Sequence, residues 1–84
     1  MANGVIRYWA AAKAAAGVAQ ERYQAGTLAE ALENACTARG EEFRLILARS
    51  SFLINGDPVG TRPHDRVDLP DDAVVEVLPP FAGG

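Results

Sequence analysis

The sequence predicts an α+β domain, a mixed sheet of about five strands covered on one face by a main helix and a short helix. Three observations lead there. Val5-Ile6-Arg7-Tyr8-Trp9-Ala10 is a β-branched and aromatic run near the start. Thr27-Leu28-Ala29-Glu30 has the Thr-x-x-Glu spacing that opens a helix. Ala73-Val74-Val75-Glu76-Val77-Leu78 is a second strand-like run, closed by Pro79-Pro80. A helix set between strands needs a sheet face to bury its apolar stripe.

In the first strand Ile6, Tyr8 and Ala10 share one face, and Val5, Arg7 and Trp9 the other. Arg7 marks the second face as the outer one. Ala10–Ala16 is alanine-rich but short, which predicts a single irregular turn ended by Gly17. Val18–Gln24 reads as the second strand. The main helix is expected from Leu28 to about Arg39, with Thr27 as its cap and Glu30 reaching back. Leu28, Leu32, Ala35 and Cys36 form its apolar stripe, and Gly40 stops it. Cys36 is thus a core residue rather than a nucleophile. Glu41–Arg49 reads as the short helix, with Phe43, Ile46 and Leu47 on one face.

Phe52–Asp57 is a strand running into an Asn55-Gly56 hairpin turn, and Val59 begins the return. Thr61–Asp65 is a polar loop, Val67–Leu69 a brief strand or turn, and Asp71-Asp72 a turn. The last strand is placed beside the first in the middle of the sheet, which is the β-grasp arrangement. It comprises residues 1–78, with 79–84 as an extended tail.

Eighty-four residues, 49% of them hydrophobic, make one small globular domain. That is too short for a doubly wound nucleotide-binding domain or an enzyme with a deep pocket of its own. A net charge of −3 weighs against nucleic acid as a partner. One cysteine and one histidine exclude a disulfide framework, a cysteine metal cluster and a multi-histidine site, so no metal is expected. No run approaches the roughly 18 apolar residues of a membrane span, and Met1–Gly4 lacks a secretory pattern. A reducing, cytoplasmic setting is expected, with no membrane partner.

The chemistry is expected at Pro79-Pro80-Phe81-Ala82-Gly83-Gly84. This tail is stiffened by two prolines and carries no side-chain charge. Six extended residues reach about 20 Å. Gly83 and Gly84 can enter a channel too narrow for any Cβ, so the segment has the form of a probe tipped by a carboxylate. Adenylation would turn that carboxylate into an electrophile, and attack by sulfur would leave a thiocarboxylate. The chain has no phosphate-cradling loop to perform the adenylation itself. The alternative is an incidental Gly-Gly end.

Residue parity adds a docking face. Glu76 sets Val74 and Leu78 on the outer side of the last strand, with Leu78 exposed, and Arg7 sets Trp9 there too. If the two strands are neighbours, Trp9 and Leu78 form an apolar patch at the root of the tail, the kind of patch that marks an interface. Trp9 as a core residue is the alternative, with Tyr8 the stronger core aromatic. Lys13 and Arg62 read as solvated surface charge, and His64 as chemically silent. Asp65, Asp68, Asp71, Asp72 and Glu76 form an acidic stretch that either steers a basic partner onto the tail or only solubilises the chain.

The sequence resembles the molybdopterin synthase small subunits of the MoaD/ThiS group of ubiquitin-like sulfur carriers. The matching stretches are Ile6–Lys13 with Gly17, Ile54-Asn55-Gly56, and Leu69–Gly84. The ending Leu78-Pro79-Pro80-Phe81-Ala82-Gly83-Gly84 is the most specific. Pro70-Asp71-Asp72 departs from the group's frequent Asp-Gly-Asp turn. Ala82 departs from its frequent Ser or Thr, and Ala-Gly-Gly endings also occur in carriers of other pathways. The resemblance implies that an E1-like adenylyltransferase, using ATP and magnesium, forms a transient acyl-adenylate at Gly84. A sulfurtransferase then gives the thiocarboxylate. The large subunit, in a heterotetramer, receives the tail and supplies the catalytic residues, and sulfur passes to a pterin precursor of the molybdenum cofactor. No cofactor is held permanently, and the chain alone is not an enzyme. The resemblance also implies that Trp9, Pro58 and Leu78, with Pro79, Pro80, Phe81 and Ala82, contact the partner. Other readings are a carrier for thiazole, cysteine or tRNA thiolation, a ubiquitin-like protein modifier, and a non-catalytic binding module.

Overall fold

The computed structural model describes residues 1–80. Its elements are β1 (Ala2–Tyr8), α1 (Ala10–Ala16), β2 (Gln20–Ala25), α2 (Leu28–Cys36), α3 (Glu41–Arg49), β3 (Ser51–Ile54), β4 (Asp57–Pro58), a 3-10 turn (His64–Arg66) and β5 (Val74–Leu78). The five strands form one sheet in the order β2-β1-β5-β3-β4. β1 and β5 run parallel, and the other neighbours are antiparallel. The chain is therefore a ubiquitin-like β-grasp domain of the α+β class, with the last strand beside the first as expected.

Period-two alternation divides the sheet. Ile6, Tyr8, Tyr23, Phe52, Ile54, Val75 and Val77 are buried on the inner face. Leu28, Ala31, Leu32, Ala35 and Cys36 of α2 and Phe43 and Leu47 of α3 pack over them. On the outer face Arg7 and Arg22 are exposed, while Val5, Leu53, Val74, Glu76 and Leu78 are half-buried. Among the described residues no helix covers that face.

Several local outcomes differ from the sequence expectation. The alanine run forms a complete helix rather than one irregular turn. Ala12 is fully buried, and Gly17 closes the helix in the left-handed region at φ 81°, its N–H on the Lys13 carbonyl. Packing supplies what seven alanine-rich residues lack alone. β1 begins at Ala2, three residues early, because its pairing with β2 extends to Ala25. α2 ends at Cys36, where Thr37 turns its hydroxyl onto the Glu33 carbonyl at 3.2 Å, and Gly40 starts α3 instead of stopping α2. As expected, Thr27 caps α2, accepting from the N–H of Glu30 (3.2 Å), and Glu30 reaches back, to the N–H of Gly26 (2.7 Å).

The Asn55-Gly56 turn forms with both residues at positive φ, 51° and 87°. Val67 and Leu69 are buried, and their backbones meet Leu28 and Gly26 at 2.9 and 3.0 Å, with Thr27 bridging Asp68.

Candidate partner interface at the root of the tail

β5 sits at the centre of the sheet and ends at Leu78, so Pro79 and Pro80 leave from the middle of one end of the domain. Val75 and Val77 are fully buried and fix which way the strand faces. Val74, Glu76 and Leu78 are thereby turned to the uncovered face. Leu78 is half-buried rather than exposed.

Trp9 is held from both sides. Its N–H donates to the Val77 carbonyl (3.2 Å), and its own carbonyl accepts from Ala12 and Lys13 at the start of α1 (3.0 and 3.3 Å). The side chain lies on the uncovered face with its indole N–H on the Glu76 carboxylate at 3.0 Å, and it remains 46% exposed. The structure thus places Trp9 outside the core and Tyr8 inside it.

Pro58 joins the same face by register. It pairs with Leu53, Leu53 with Glu76, and Glu76 with Arg7, a row across four strands. Trp9 and Leu78 stand two residues further along their strands, at the end where the tail leaves. Arg7, Trp9, Lys13 and Gln20 line a shallow depression of about 290 Å³ beside this patch, so its border carries two cations. Arg62 is exposed surface charge, as expected, with an added local role. It donates to the carbonyls of Val59 (3.0 Å) and Pro58 (3.2 Å) and fixes the return from β4. Phe81, Ala82, Gly83 and Gly84 lie outside the described residues.

Asp71 and Asp72 of the acidic stretch lie away from the tail root. Asp72 donates its N–H to the Asn3 carbonyl, and Val74 pairs with Val5, which sets Asp71 and Asp72 at the far end of β5 from Leu78. Five residues of strand separate the two ends by about 15 Å. Of the acids named from sequence, only Glu76 belongs to the outer face of the sheet.

On the inner side of the sheet, around the Tyr8 hydroxyl, lies a group that sequence spacing did not disclose. Arg39 grips Glu21 with a two-pronged contact (2.7 and 3.1 Å) and donates to the carbonyls of Ala35 (2.8 Å) and Ala16 (3.2 Å). Its guanidinium stacks 4.9 Å from the Phe43 ring, and the Tyr8 hydroxyl donates to Glu21. One side chain therefore ties α1, α2, α3, β1 and β2 together. Burial, aided by Glu21, pushes the Tyr8 phenol far above its ordinary range. Burial also pushes the Glu21 carboxyl up, but hydrogen bonds from Arg39 and Tyr8 outweigh it and hold the group below its ordinary value. The buried Cys36 thiol is raised by desolvation, which suits a packing role. The His64 ring packs edge-on against Phe52 at 5.0 Å.

Among the described residues no three His, Cys, Asp or Glu side chains are grouped to hold a metal ion. No helix there is long and apolar enough to cross a membrane.

Solved structures of similar fold cover nearly the whole chain. Small archaeal modifier protein 1 from Methanosarcina acetivorans matches with a TM-score of 0.84 at 20% identity, over 100% of this chain and 98% of that one. A Pyrococcus furiosus protein provisionally described as molybdopterin converting factor subunit 1 matches with 0.77 at 24% identity, over 96% and 100%. A chain in the complex of subunits 1 and 2 of the Helicobacter pylori molybdopterin-converting factor matches with 0.68 at 20%, over 98% and 99%. At these identities the likeness carries the fold alone. No curated protein sequence matches the chain. The model of the ThiS family matches residues 6–84, from the first strand through the double glycine. With the β-grasp sheet and the tail leaving its central strand, that match identifies the chain as a member of the ThiS family, the MoaD/ThiS type of ubiquitin-like sulfur carrier.

Proposed function

We propose that this chain is the sulfur carrier subunit of a molybdopterin synthase. In this reading an E1-like enzyme transfers AMP from ATP to the Gly84 carboxylate and releases pyrophosphate. A sulfurtransferase persulfide attacks the acyl-adenylate and AMP leaves. A second thiol then attacks the sulfurtransferase sulfur of the resulting acyl disulfide, which frees the thiocarboxylate and leaves a disulfide between the two thiols. The tail then enters the large subunit, whose residues direct sulfur onto the pterin precursor. This chain contributes position and a leaving atom, not acid–base chemistry.

The observation that supports the reading most is the position of the tail root. The central strand delivers Pro79 and Pro80 beside Trp9 and Leu78, on a sheet face that no helix among the described residues covers. A partner gripping Trp9, Leu78 and Pro58 would hold the tail at a fixed origin, and two prolines keep the exit direction. The complex of subunits 1 and 2 known for the Helicobacter pylori factor gives this partner a precedent in the same fold.

The test is the intact mass of the chain after coexpression with an activating enzyme and a sulfur source. The expected result is a mass increase equal to the replacement of one oxygen by sulfur, lost when Gly84 is deleted. An unchanged mass, under conditions where a known carrier shifts, would overturn the proposal. Stable conjugates to lysines that survive a denaturing gel would replace it with the modifier reading.

A further inference from the structure

We propose that the open edge of β2, with the groove between β2 and α2, takes an extended acidic segment of a partner protein as a sixth strand. β2 ends the sheet order and pairs only with β1 among the described strands. The Tyr8 N–H donates to the Ala19 carbonyl at 2.9 Å, and these residues fall in the register of the β1–β2 pair. Antiparallel alternation then directs the backbone groups of Glu21, Tyr23 and Ala25 to β1, and those of Gln20, Arg22 and Gln24 away from the sheet. The pairing runs unbroken through six residues, with no proline or bulge to blunt the edge. It is a template for strand addition.

A groove of about 620 Å³ follows this edge, bounded by β2 and by Ala31 and Ala35 of α2 with Ala38 beyond it. Methyl side chains leave depth for apolar residues pointing inward. Three charged residues line the groove, and two of them, Arg39 and Glu21, are paired with each other, so its inner wall does not call for an acid. The outer face of the same edge is different. Arg22 is exposed at its middle, opposite Val5, with Arg7 one diagonal step away opposite Gln20, and neither arginine has an acidic side chain within ion-pair distance among the described residues. This is a local positive site on a chain of net charge −3. A second copy fits poorly, because antiparallel pairing centred on β2 opposes Arg22 with Arg22. The fitting occupant alternates acidic residues on the outer face with apolar residues toward α2. β1 stands between this edge and β5, so such a strand leaves Leu78 and Pro58 uncovered.

The test uses the whole chain, isotope-labelled for NMR, and the synthetic peptide acetyl-Asp-Ile-Glu-Val-Asp-Ile-amide. Saturable binding is expected, with the amides of Gln20, Arg22, Gln24 and the groove alanines shifting most. Methylating alternate peptide nitrogens on the pairing edge should weaken binding by about tenfold or more, through the lost ladder bonds. Exchanging the acids for lysines should weaken it by at least about fivefold. Gln24→Pro should keep the melting temperature, because the lost N–H points away from β1, and should lose about tenfold in affinity. Equal binding of the methylated peptide, shifts centred on Trp9 and Leu78, or no saturable binding would each overturn the proposal. The methylated peptide carries the test even if Gln24→Pro fails to fold.

Discussion

Trp9 donates its indole N–H to the Glu76 carboxylate at 3.0 Å, joining residues 67 positions apart on the open face of the sheet. The contact sits at the surface, and the ring is half in water. Trp9→Ala should therefore lower stability by only about 1 kcal/mol, within the ordinary range for surface aromatic truncation. On the proposed function it should weaken capture by the large subunit by about tenfold or more, as loss of an aromatic anchor does. Urea denaturation and partner titration on the same variant separate the two effects.

Arg39→Lys should destabilise the fold by about 2 kcal/mol, since an ammonium cannot reproduce the two-pronged grip on Glu21 or the stacking on Phe43. The check is a urea midpoint at neutral pH. Glu21→Gln should cost less, because the amide still accepts one bond from Arg39.

Glu21 also sets a pH dependence. Its carboxyl binds a proton less tightly folded than unfolded, where the reference is 4.5. The stabilisation is thus complete above that value and is lost as pH falls through the lower folded value. The stability gap between wild type and Glu21→Gln should be constant from pH 7 to about 5 and close on further acidification. A gap that widens in acid would contradict the assignment.

Gly4→Ala should destabilise by about 2 kcal/mol or more through overpacking. A Cβ there would meet the Ala73 carbonyl and lie 2.5 Å from the Tyr23 hydroxyl and 2.6 Å from its ring. That ring crosses Gly4 to reach Ala73, so Tyr23→Phe should not rescue the variant. Melting curves of the single and double variants decide it.

Asn55→Ala should cost about 1–2 kcal/mol, combining the lost bond from the Val74 N–H to its side-chain oxygen (2.9 Å) with a left-handed φ of 51°. Asn55→Gly keeps the turn and should recover part of that loss. Amide exchange at Val74 reports the bond directly.

Local chemistry was legible in this sequence wherever neighbours in the chain decide the outcome. Asn55-Gly56 made the hairpin turn, Thr27 capped its helix, and the parity of Arg7 with Trp9 and of Glu76 with Leu78 sorted the outer face correctly. What spacing could not disclose depended on distant partners. Arg39 meets Glu21 only once α2 lies across β2, so its side chain offered no pattern to read. The alanine run gained its second turn from burial of Ala12, and Ala2-Asn3-Gly4 became strand by pairing with Tyr23, Gln24 and Ala25. The distribution of charge failed for the same reason. Asp71 and Asp72, close in sequence to the tail, lie at the other end of β5, and Glu76 alone stands beside Trp9.

The parallel contact between β1 and β5 also orders events in time. β1 has one neighbour, β2, while most of the chain is still being synthesised, and its second arrives only with Val74–Leu78. Closing the long loop between β1 and β5 costs more chain entropy than local contacts do, and non-local pairing of this kind generally forms slowly. A shortened or unfinished chain lacks the central strand of its own sheet. The strand that completes the domain is also the one that carries Pro79 and Pro80 outward, so the tail emerges from a stable base only on molecules that have finished folding. Partners that recognise the sheet face and the tail together would thereby accept complete carriers and pass over incomplete ones.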